Sequence, residues 1–267
     1  MRILFIGDIV GPAGVTFLKQ ALPQVIERED VDLVIANAEN ATNGSGITPN
    51  CYKQLRAGGI DAVTLGDHAY KKLEIIKTLQ SDDRICRPAN FPYEAPGADY
   101  ILVRGRDGTL TAVFCLLGRT YMRPVDCPFE AADRVLEALP KDVSCIVLDM
   151  HAEATADKYL MAHHLKGRVS AVLGTHTHVP TADEQIFPPG TAFISDVGMT
   201  GPYDSILGRR VDRVLYTAVT FIPCSFEVAR GDPRLAGAIV DVEPKTGRAT
   251  AIRRLMVRES DLDGKLR

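Results

Sequence analysis

Five apolar, strand-like runs in this chain each stop at an acidic, amide or histidine side chain. They are Arg2–Asp8, Asp32–Asn40, Ala62–His68, Cys145–His151 and Ala171–His178. If these runs lie side by side as parallel strands, their carboxyl ends meet at one crevice, where open α/β sheets bind ligands. The crevice would collect Asp8, Glu39, Asn40, Asp67, His68, His151, His176 and His178. Imidazoles and carboxylates without a thiolate bind divalent first-row metals, so the sequence predicts a hydrolytic metal site.

The chain alternates predicted strands and helices over most of its length. Helices predicted near Thr16–Glu27, Pro49–Ala57 and Lys71–Thr78 separate the first strands, which favours right-handed βαβ crossovers and a parallel sheet. Strands predicted after Pro180 are expected to complete a second sheet as antiparallel strands; they are Ala192–Asp196, Ser225–Ala229, Gly237–Val242 and Ala249–Val257. We therefore expect one compact α/β domain, residues 1–267, with two stacked sheets.

Composition restricts the partners and the location of the protein. Its 31 basic and 34 acidic side chains leave a net charge of −3, so no global positive field draws it onto nucleic acid or anionic membrane. No segment approaches the roughly 20 apolar residues of a membrane span. The six cysteines are scattered without a C-x-x-C pair, which favours reduced thiols in a cytoplasmic protein.

The segment Gly174–His178 carries the sharpest local signal, because two histidines separated by one residue follow an apolar strand. Such a pair can direct both imidazoles at one point or at two neighbouring ions. His151 also ends an apolar run, although it could equally be a buried histidine satisfied by a backbone carbonyl. His163 and His164 lie in a helical segment, and we expect them to be structural or exposed to solvent.

Two acidic residues permit a second interpretation each. The spacing of Gly7, Gly11 and Gly14 is compatible with a phosphate-binding loop, but Asp8 would repel a phosphate unless a cation intervened. Glu39 follows a strand in an Asn-rich segment that could simply be a turn capping the next helix. A carboxylate has two oxygens and can bridge two cations, so Glu39 is the bridging candidate.

Several motifs together resemble the calcineurin-like metallophosphoesterase superfamily, and within it the bacterial 2′,3′-cyclic-nucleotide 2′-phosphodiesterases. The motifs are Gly7-Asp8, Asn37-Ala38-Glu39-Asn40, Gly66-Asp67-His68, His151-Ala152-Glu153-Ala154-Thr155 and Gly174-Thr175-His176-Thr177-His178. The resemblance extends to about Val257. It implies a four-layer α/β/β/α sandwich with two stacked mixed sheets.

The resemblance also implies a centre with two divalent metal ions. Asp8, Asn40 and His178 would hold one ion, and Asp67, His151 and His176 would hold the other. Glu39 would bridge the two ions. Iron or manganese is expected, and zinc or nickel is compatible with the same nitrogen and oxygen ligands.

The implied reaction is metal-hydroxide attack on a 2′,3′-cyclic nucleotide or a related small phosphodiester. His68 would not bind metal but would protonate or orient the leaving oxygen. Tyr121 and Tyr203 are candidates for substrate binding, and RNA ends are candidate substrates besides small nucleotides. The resemblance further suggests a homo-oligomer, with an interface near the Gly201–Ile206 loop and the tail strands.

The segment Gly66–Lys71 departs from the pattern of the resemblance, because Asp67 stands where asparagine is usual. The aspartate adds a negative charge to the ligand shell, so the site should hold metal more firmly and attract a phosphate less. Lys71 offers a compensating cation nearby. The sequence also leaves open a metal-stabilised regulatory or scaffold protein with weak activity, and a single-zinc amidohydrolase that uses Asp8, His176 and His178.

Overall fold

A computed structural model describes residues 1–262 of the chain and shows two stacked β-sheets with helices on both outer faces. Within these residues the helices are α1 (Gly11–Glu29), α2 (Pro49–Ala57), α3 (Ile76–Ser81), α4 (Pro128–Ala138), α5 (Thr155–Leu165) and α6 (Val211–Thr220). The strands are β1 (Arg2–Ile6), β2 (Asp8–Ile9), β3 (Leu33–Asn37), β4 (Ala62–Thr64), β5 (Ile85–Cys86), β6 (Tyr100–Arg104), β7 (Leu110–Leu117), β8 (Cys145–His151), β9 (Ala171–Thr175), β10 (Gln185–Phe187), β11 (Thr191–Ile194), β12 (Met199–Pro202), β13 (Pro233–Val242) and β14 (Ala249–Arg258).

Both sheets are mixed. The first has the order β2-β12-β13-β1-β3-β4-β5, with β14 paired to β13, and its strands β1, β3, β4 and β5 are parallel. The second has the order β10-β11-β9-β8-β7-β6, and its central strands are parallel while both edge strands are antiparallel to their neighbours. The helices α1, α2 and α3 supply the crossovers from β1 to β5, and α4 and α5 supply those from β7 to β9, as the alternation in the sequence predicts. The parallel strands β9 and β11 are connected through β10 instead.

Three apolar layers hold the sheets and helices together. In β1, Leu4 and Ile6 face α1, whereas Ile3 and Phe5 face the second sheet, because successive side chains of a strand point to opposite faces. A third apolar cluster lies between the second sheet and the helices α4 and α5. These layers confirm the expected four-layer α/β/β/α sandwich. In residues 1–262, no helix combines the length and the apolar character needed to cross a membrane.

The structure corrects the expectation that the strands after Pro180 complete the second sheet as antiparallel strands. Of the four predicted strands, only Ala192–Asp196 joins that sheet, as β11, and it pairs parallel with β9. The strands β13 and β14 join the first sheet, where β13 pairs antiparallel with the whole of β1, and they do not complete the second sheet. Because β3 covers only one edge of β1, the other edge needs a partner for its backbone groups, and β13 supplies it. The predicted strand Ser225–Ala229 does not form; its Val228 makes only an isolated bridge to Arg209.

The five runs that end in polar residues divide between the two sheets and do not form one continuous parallel sheet. β1, β3 and β4 belong to the first sheet, and β8 and β9 belong to the second. Their carboxyl ends nevertheless meet at the same end of the sandwich, where Asn37 of β3 donates to Asp149 of β8 over 2.9 Å. The crevice therefore lies across both sheets.

Candidate metal centre

Four side chains at the carboxyl ends of β3, β4, β8 and β9 form a compact cluster. The Nε2 atom of His151 lies 3.2 Å from Oε1 of Glu39, 3.3 Å from Oδ1 of Asp67 and 3.0 Å from Nδ1 of His176. One ligand-type atom from each residue lies within 4.8 Å of all the others. Two imidazoles and two carboxylates in this arrangement form a group that can bind a metal ion.

A second group, formed by Asp8, Asn40 and His178, adjoins the first. Nε2 of His178 lies 3.7 Å from Oδ1 of Asp8 and 3.4 Å from Nδ2 of Asn40. Asn40 donates to Oε1 of Glu39 over 3.2 Å, so Glu39 contacts both groups. The amide of Asn40 directs Nδ2 at His178 and Oδ1 at His68. Rotation of the amide group by 180° would exchange the two atoms and direct the oxygen at the second group.

The buried Oδ1 atom of Asp8 has no hydrogen-bond partner within residues 1–262. A buried carboxylate oxygen without a partner is costly, because its lost hydration is not replaced. The other oxygen, Oδ2, accepts from the backbone nitrogen of His176 over 3.0 Å. A cation beside Oδ1 would replace the lost hydration of this oxygen, so the second group also fits a metal ion.

The charges in the cluster shift several pKa values strongly. Burial alone would lower the pKa of His151, but the carboxylates of Glu39 and Asp67 outweigh burial and raise that pKa well above its usual range. Burial would likewise raise the pKa of Asp8, but the neighbouring His178 lowers it well below its usual range. These opposed effects show a buried negative pocket that stabilises positive charge, as a metal site requires.

Each of the three imidazoles at the centre has a partner for the ring nitrogen that points away from the cluster. The partners are Oγ1 of Thr175 at 2.8 Å from Nδ1 of His151, Oε2 of Glu153 at 3.2 Å from Nε2 of His176, and the carbonyl oxygen of Leu207 at 3.1 Å from Nδ1 of His178. Such outer partners fix the ring orientation and the position of its hydrogen. The remaining nitrogen of each ring faces the cluster.

His68 lies beside the cluster of four rather than inside it. Its backbone nitrogen donates to Oε2 of Glu39 over 2.9 Å, and its Nδ1 lies 2.8 Å from Oδ1 of Asn40. The side chain is 28% exposed, whereas that of His151 is fully buried. His68 is therefore held at the partly exposed edge of the site.

The His-x-His turn is held by residues that the sequence reasoning missed. His176 and His178 both have positive φ values, 93° and 66°, a region that L-residues seldom adopt. Between them, Thr177 donates its backbone nitrogen and its hydroxyl to Oδ2 of Asp196 over 3.1 and 2.8 Å. The buried Lys158 neutralises Asp196 over 2.9 Å. This ion pair keeps Asp196 in position to accept from the turn.

Asp149 is the other missed residue. It is fully buried on β8 and accepts from Nδ2 of Asn37 over 2.9 Å, from Oγ1 of Thr64 over 2.6 Å and from Oγ1 of Thr175 over 2.6 Å. Burial raises its pKa to about 6, and the nearby His151 and the three donors oppose that rise. The sequence feature that could have identified Asp149 is an acidic residue inside an otherwise apolar strand. Such a residue is buried by its neighbours, and a buried charge must be satisfied by specific donors.

The two candidate tyrosines differ in environment. Tyr121 is 90% exposed. Tyr203 donates its hydroxyl to the carbonyl oxygen of Met199 over 3.1 Å, and the guanidinium of Arg234 lies 4.6 Å from its ring centroid. Packing contacts thus occupy Tyr203, and a role of either tyrosine in substrate binding remains a prediction. His163 and His164 lie on α5 outside the centre, as expected.

Comparisons with known proteins agree with this architecture and site. The chain is 41% identical over 262 residues to the 2′,3′-cyclic-nucleotide 2′-phosphodiesterase of Bacillus subtilis, and the match covers 98% of this chain and 99% of that protein. A solved structure of a hypothetical protein from Thermus thermophilus superposes with a TM-score of 0.91 at 40% identity and covers 97% of this chain and 100% of that one. A novel phosphatase from Mycoplasma pneumoniae gives 0.90 at 28% identity, covering 97% and 93%.

The family described as YmdB-like protein matches residues 4–255, almost the whole chain. The motifs that suggested the resemblance all lie within the matched residues, at the strand ends described above. The chain therefore belongs to the YmdB-like family.

Proposed function

We propose that this protein is a metal-dependent phosphodiesterase that hydrolyses 2′,3′-cyclic nucleotides or related small phosphodiesters. The observation that carries the proposal is the convergence of Glu39, Asp67, His151 and His176 on one point. The 41% identity to a 2′,3′-cyclic-nucleotide 2′-phosphodiesterase supports the same reaction. The catalytic unit is one domain, and we place it in the cytoplasm, in keeping with its six free cysteines.

The centre is proposed to hold two divalent cations. Asp8, Asn40 and His178 would hold the first, Asp67, His151 and His176 would hold the second, and Glu39 would contact both. When bound, a pair of such cations neutralises a phosphodiester anion and acidifies a water molecule. Iron or manganese suits these nitrogen and oxygen donors, and zinc or nickel is compatible with them.

His68 is the proposed general acid for the leaving oxygen. Its Nδ1 lies 2.8 Å from Oδ1 of Asn40 and its Nε2 lies 3.7 Å from Oδ2 of Asp67, and the ring is partly exposed. A proton on Nε2 can then be donated to a departing ribose oxygen. For a 2′,3′-cyclic nucleotide, breaking the bond to the 2′ oxygen would give a 3′-phosphate.

The substrate contacts are proposed to come from the loops near the exposed Tyr121 and near Tyr203. The chain has no excess of basic residues, which favours a small nucleotide or the end of an RNA strand over long duplex.

We further propose that the protein is a homo-oligomer through α6 and the segment that follows it. The side chains of Leu215, Val219 and Phe221 are exposed there, and α6 has no buried residue. The nearby Arg210 pairs with Asp212 and with Glu227. Because these charged side chains are engaged with each other, they do not cover the apolar face. Several exposed apolar side chains on one helix and the segment after it are typical of an interface.

The single-zinc alternative receives less support from the site. Nδ1 of His176 lies 3.0 Å from His151 and Nε2 lies 3.2 Å from Glu153, so both ring nitrogens have neighbours outside the pair of Asp8 and His178. The regulatory or scaffold alternative is distinguished from an enzyme by assay.

Elemental analysis combined with an assay of cyclic nucleotides tests the proposal. We expect two metal ions per chain and faster hydrolysis of 2′,3′-cyclic than of 3′,5′-cyclic nucleotides, with a 3′-phosphate as the product. One ion per chain would support the single-zinc alternative. Two ions without hydrolysis of any diester would support the regulatory alternative.

A further inference from the structure

We propose that Asp149 and Thr175 form a hydrogen-bond relay that keeps a hydrogen on Nδ1 of His151 and thereby reserves Nε2 for a metal ion. The inference rests on the proposed metal centre and assigns a positioning role to two residues behind it. Asp149, Thr175 and His151 are all fully buried, so water does not replace any contact within the relay.

The direction of the relay follows from the number of hydrogens available. The hydroxyl of Thr175 has a single hydrogen, and its oxygen lies 2.6 Å from Oδ1 of Asp149, one of three donor contacts that surround this carboxylate. The hydroxyl hydrogen therefore points at Asp149. The oxygen of Thr175 then presents lone pairs to Nδ1 of His151 at 2.8 Å, and only an N–H group satisfies that contact.

The first sheet supplies the other two donor contacts to Asp149. Oδ2 accepts from Nδ2 of Asn37 over 2.9 Å and from Oγ1 of Thr64 over 2.6 Å. An amide nitrogen can only donate, so the contact with Asn37 holds Oδ2 as an acceptor even without Thr64. Nδ2 of Asn37 also lies 3.4 Å from Nδ1 of His151, a longer contact than the one to Thr175.

The relay opposes a tendency of the site itself. Nε2 of His151 lies 3.2 Å from Glu39 and 3.3 Å from Asp67, and these carboxylates attract a hydrogen to Nε2. A ring that carried its hydrogen there would be unable to bind a metal through that atom. With the relay, the hydrogen of the neutral ring remains on Nδ1 and the lone pair of Nε2 faces the carboxylates.

Zinc affinity of the purified, metal-stripped protein tests the relay without an assay of turnover. Thr175→Val removes the hydroxyl at nearly constant volume, and we expect zinc affinity, measured by competition with a chromophoric chelator, to fall about 10–100-fold, as is usual for an outer partner of a metal ligand. Thr175→Ser retains the hydroxyl and should restore affinity close to that of the unchanged protein.

Thr64→Val is the matched control, because Thr64 also donates to Asp149 over 2.6 Å but stands outside the path to His151. We expect this variant to bind zinc nearly as tightly as the unchanged protein. Equal weakening by Thr64→Val and Thr175→Val would overturn the relay, since it would show a general disturbance of the buried network.

Nuclear magnetic resonance of zinc-loaded, ¹⁵N-histidine-labelled protein gives a second readout. We expect a slowly exchanging, downfield Nδ1–H proton on His151 that moves upfield in Thr175→Val and returns in Thr175→Ser. An unchanged signal and unchanged affinity in Thr175→Val would overturn the proposal. If the valine variant does not fold, Asp149→Asn must weaken zinc binding by the same reasoning, and undiminished affinity would count against the relay. Failure of the unchanged protein to bind zinc would instead refute the metal centre.

Discussion

The candidate metal centre buries polar residues, whereas α6 and the segment after it expose apolar residues. At the centre, Asp8, Glu39 and His151 are buried although they are polar, and one oxygen of Asp8 has no partner in residues 1–262. On and just after α6, Val219 is 71% exposed and Phe221 is 90% exposed although both are apolar. Buried polar groups and exposed apolar patches are the informative exceptions in a fold. The proposals explain both exceptions by a partner from outside the chain, a cation in one case and a second copy in the other.

The largest effect is expected from Glu39→Gln, which removes the carboxylate that contacts both groups of the centre. If the burial of polar residues is explained by cations, this variant should lose bound metal and all measurable phosphodiesterase activity. Its loss of metal affinity should exceed the roughly 10–100-fold that an outer partner contributes. Elemental analysis after dialysis and titration calorimetry measure the effect.

Glu184→Gln provides the control for this substitution, because Glu184 pairs with Arg254 outside the centre. It should retain the metal content of the unchanged protein. Full metal occupancy in Glu39→Gln would break the proposed link between the buried charges and bound cations.

His68→Ala should have the next largest effect. It removes the proposed general acid, and we expect turnover of alkyl esters to fall about 10²–10⁴-fold while metal content is unchanged. Nitrophenyl esters should lose less, because their leaving group departs without a proton. His163→Ala, on the exposed face of α5, should leave both rates unchanged. Equal losses for the two ester classes would remove His68 as the acid.

Sequence reasoning could bring the polar strand ends together but could not assign the tail strands to their sheet, and the reason is physical. Each residue of the centre follows an apolar run, so Asp8, Glu39 and His151 could be identified locally, and the shared strand direction brought them together. The tail could not be assigned to a sheet, since the pairing of β13 with β1 spans most of the chain and depends on which strand edge is left open.

The supporting residues were equally hard to find, because their role depends on contacts between the two sheets. Asp149 stood out as an acid within an apolar strand, but its donors Asn37 and Thr64 come from the first sheet. Lys158 supports the His-x-His turn only through Asp196, which lies 38 positions further along the chain. Periodicity within one segment carries no information about such pairs.

A smaller effect is expected from Asp67→Asn. The change removes one negative charge next to His151, where Asp67 lies 3.3 Å from Nε2. It should weaken metal binding and raise turnover a few-fold at full metal occupancy, because a less negative site attracts the phosphodiester anion better. Asp133→Asn, which alters a surface pair with Arg168, is the control. Unchanged or lower turnover at full occupancy would contradict this electrostatic explanation.

We expect the smallest effect on the isolated subunit from the double substitution Leu215→Ser and Val219→Ser on α6. This variant is also the sharpest test of the comparison between α6 and the candidate metal centre. Both side chains are exposed, so the free energy of unfolding of a single subunit should change by no more than about 0.5 kcal/mol. The oligomer should nevertheless dissociate, as measured by size-exclusion chromatography with light scattering, while metal content stays unchanged. The same replacements at the exposed Leu73 and Leu160 should leave the oligomer intact. If the unchanged protein is a monomer, or if the α6 variant still assembles, the exposed apolar surface needs an explanation other than a second copy, and the parallel between the two regions fails.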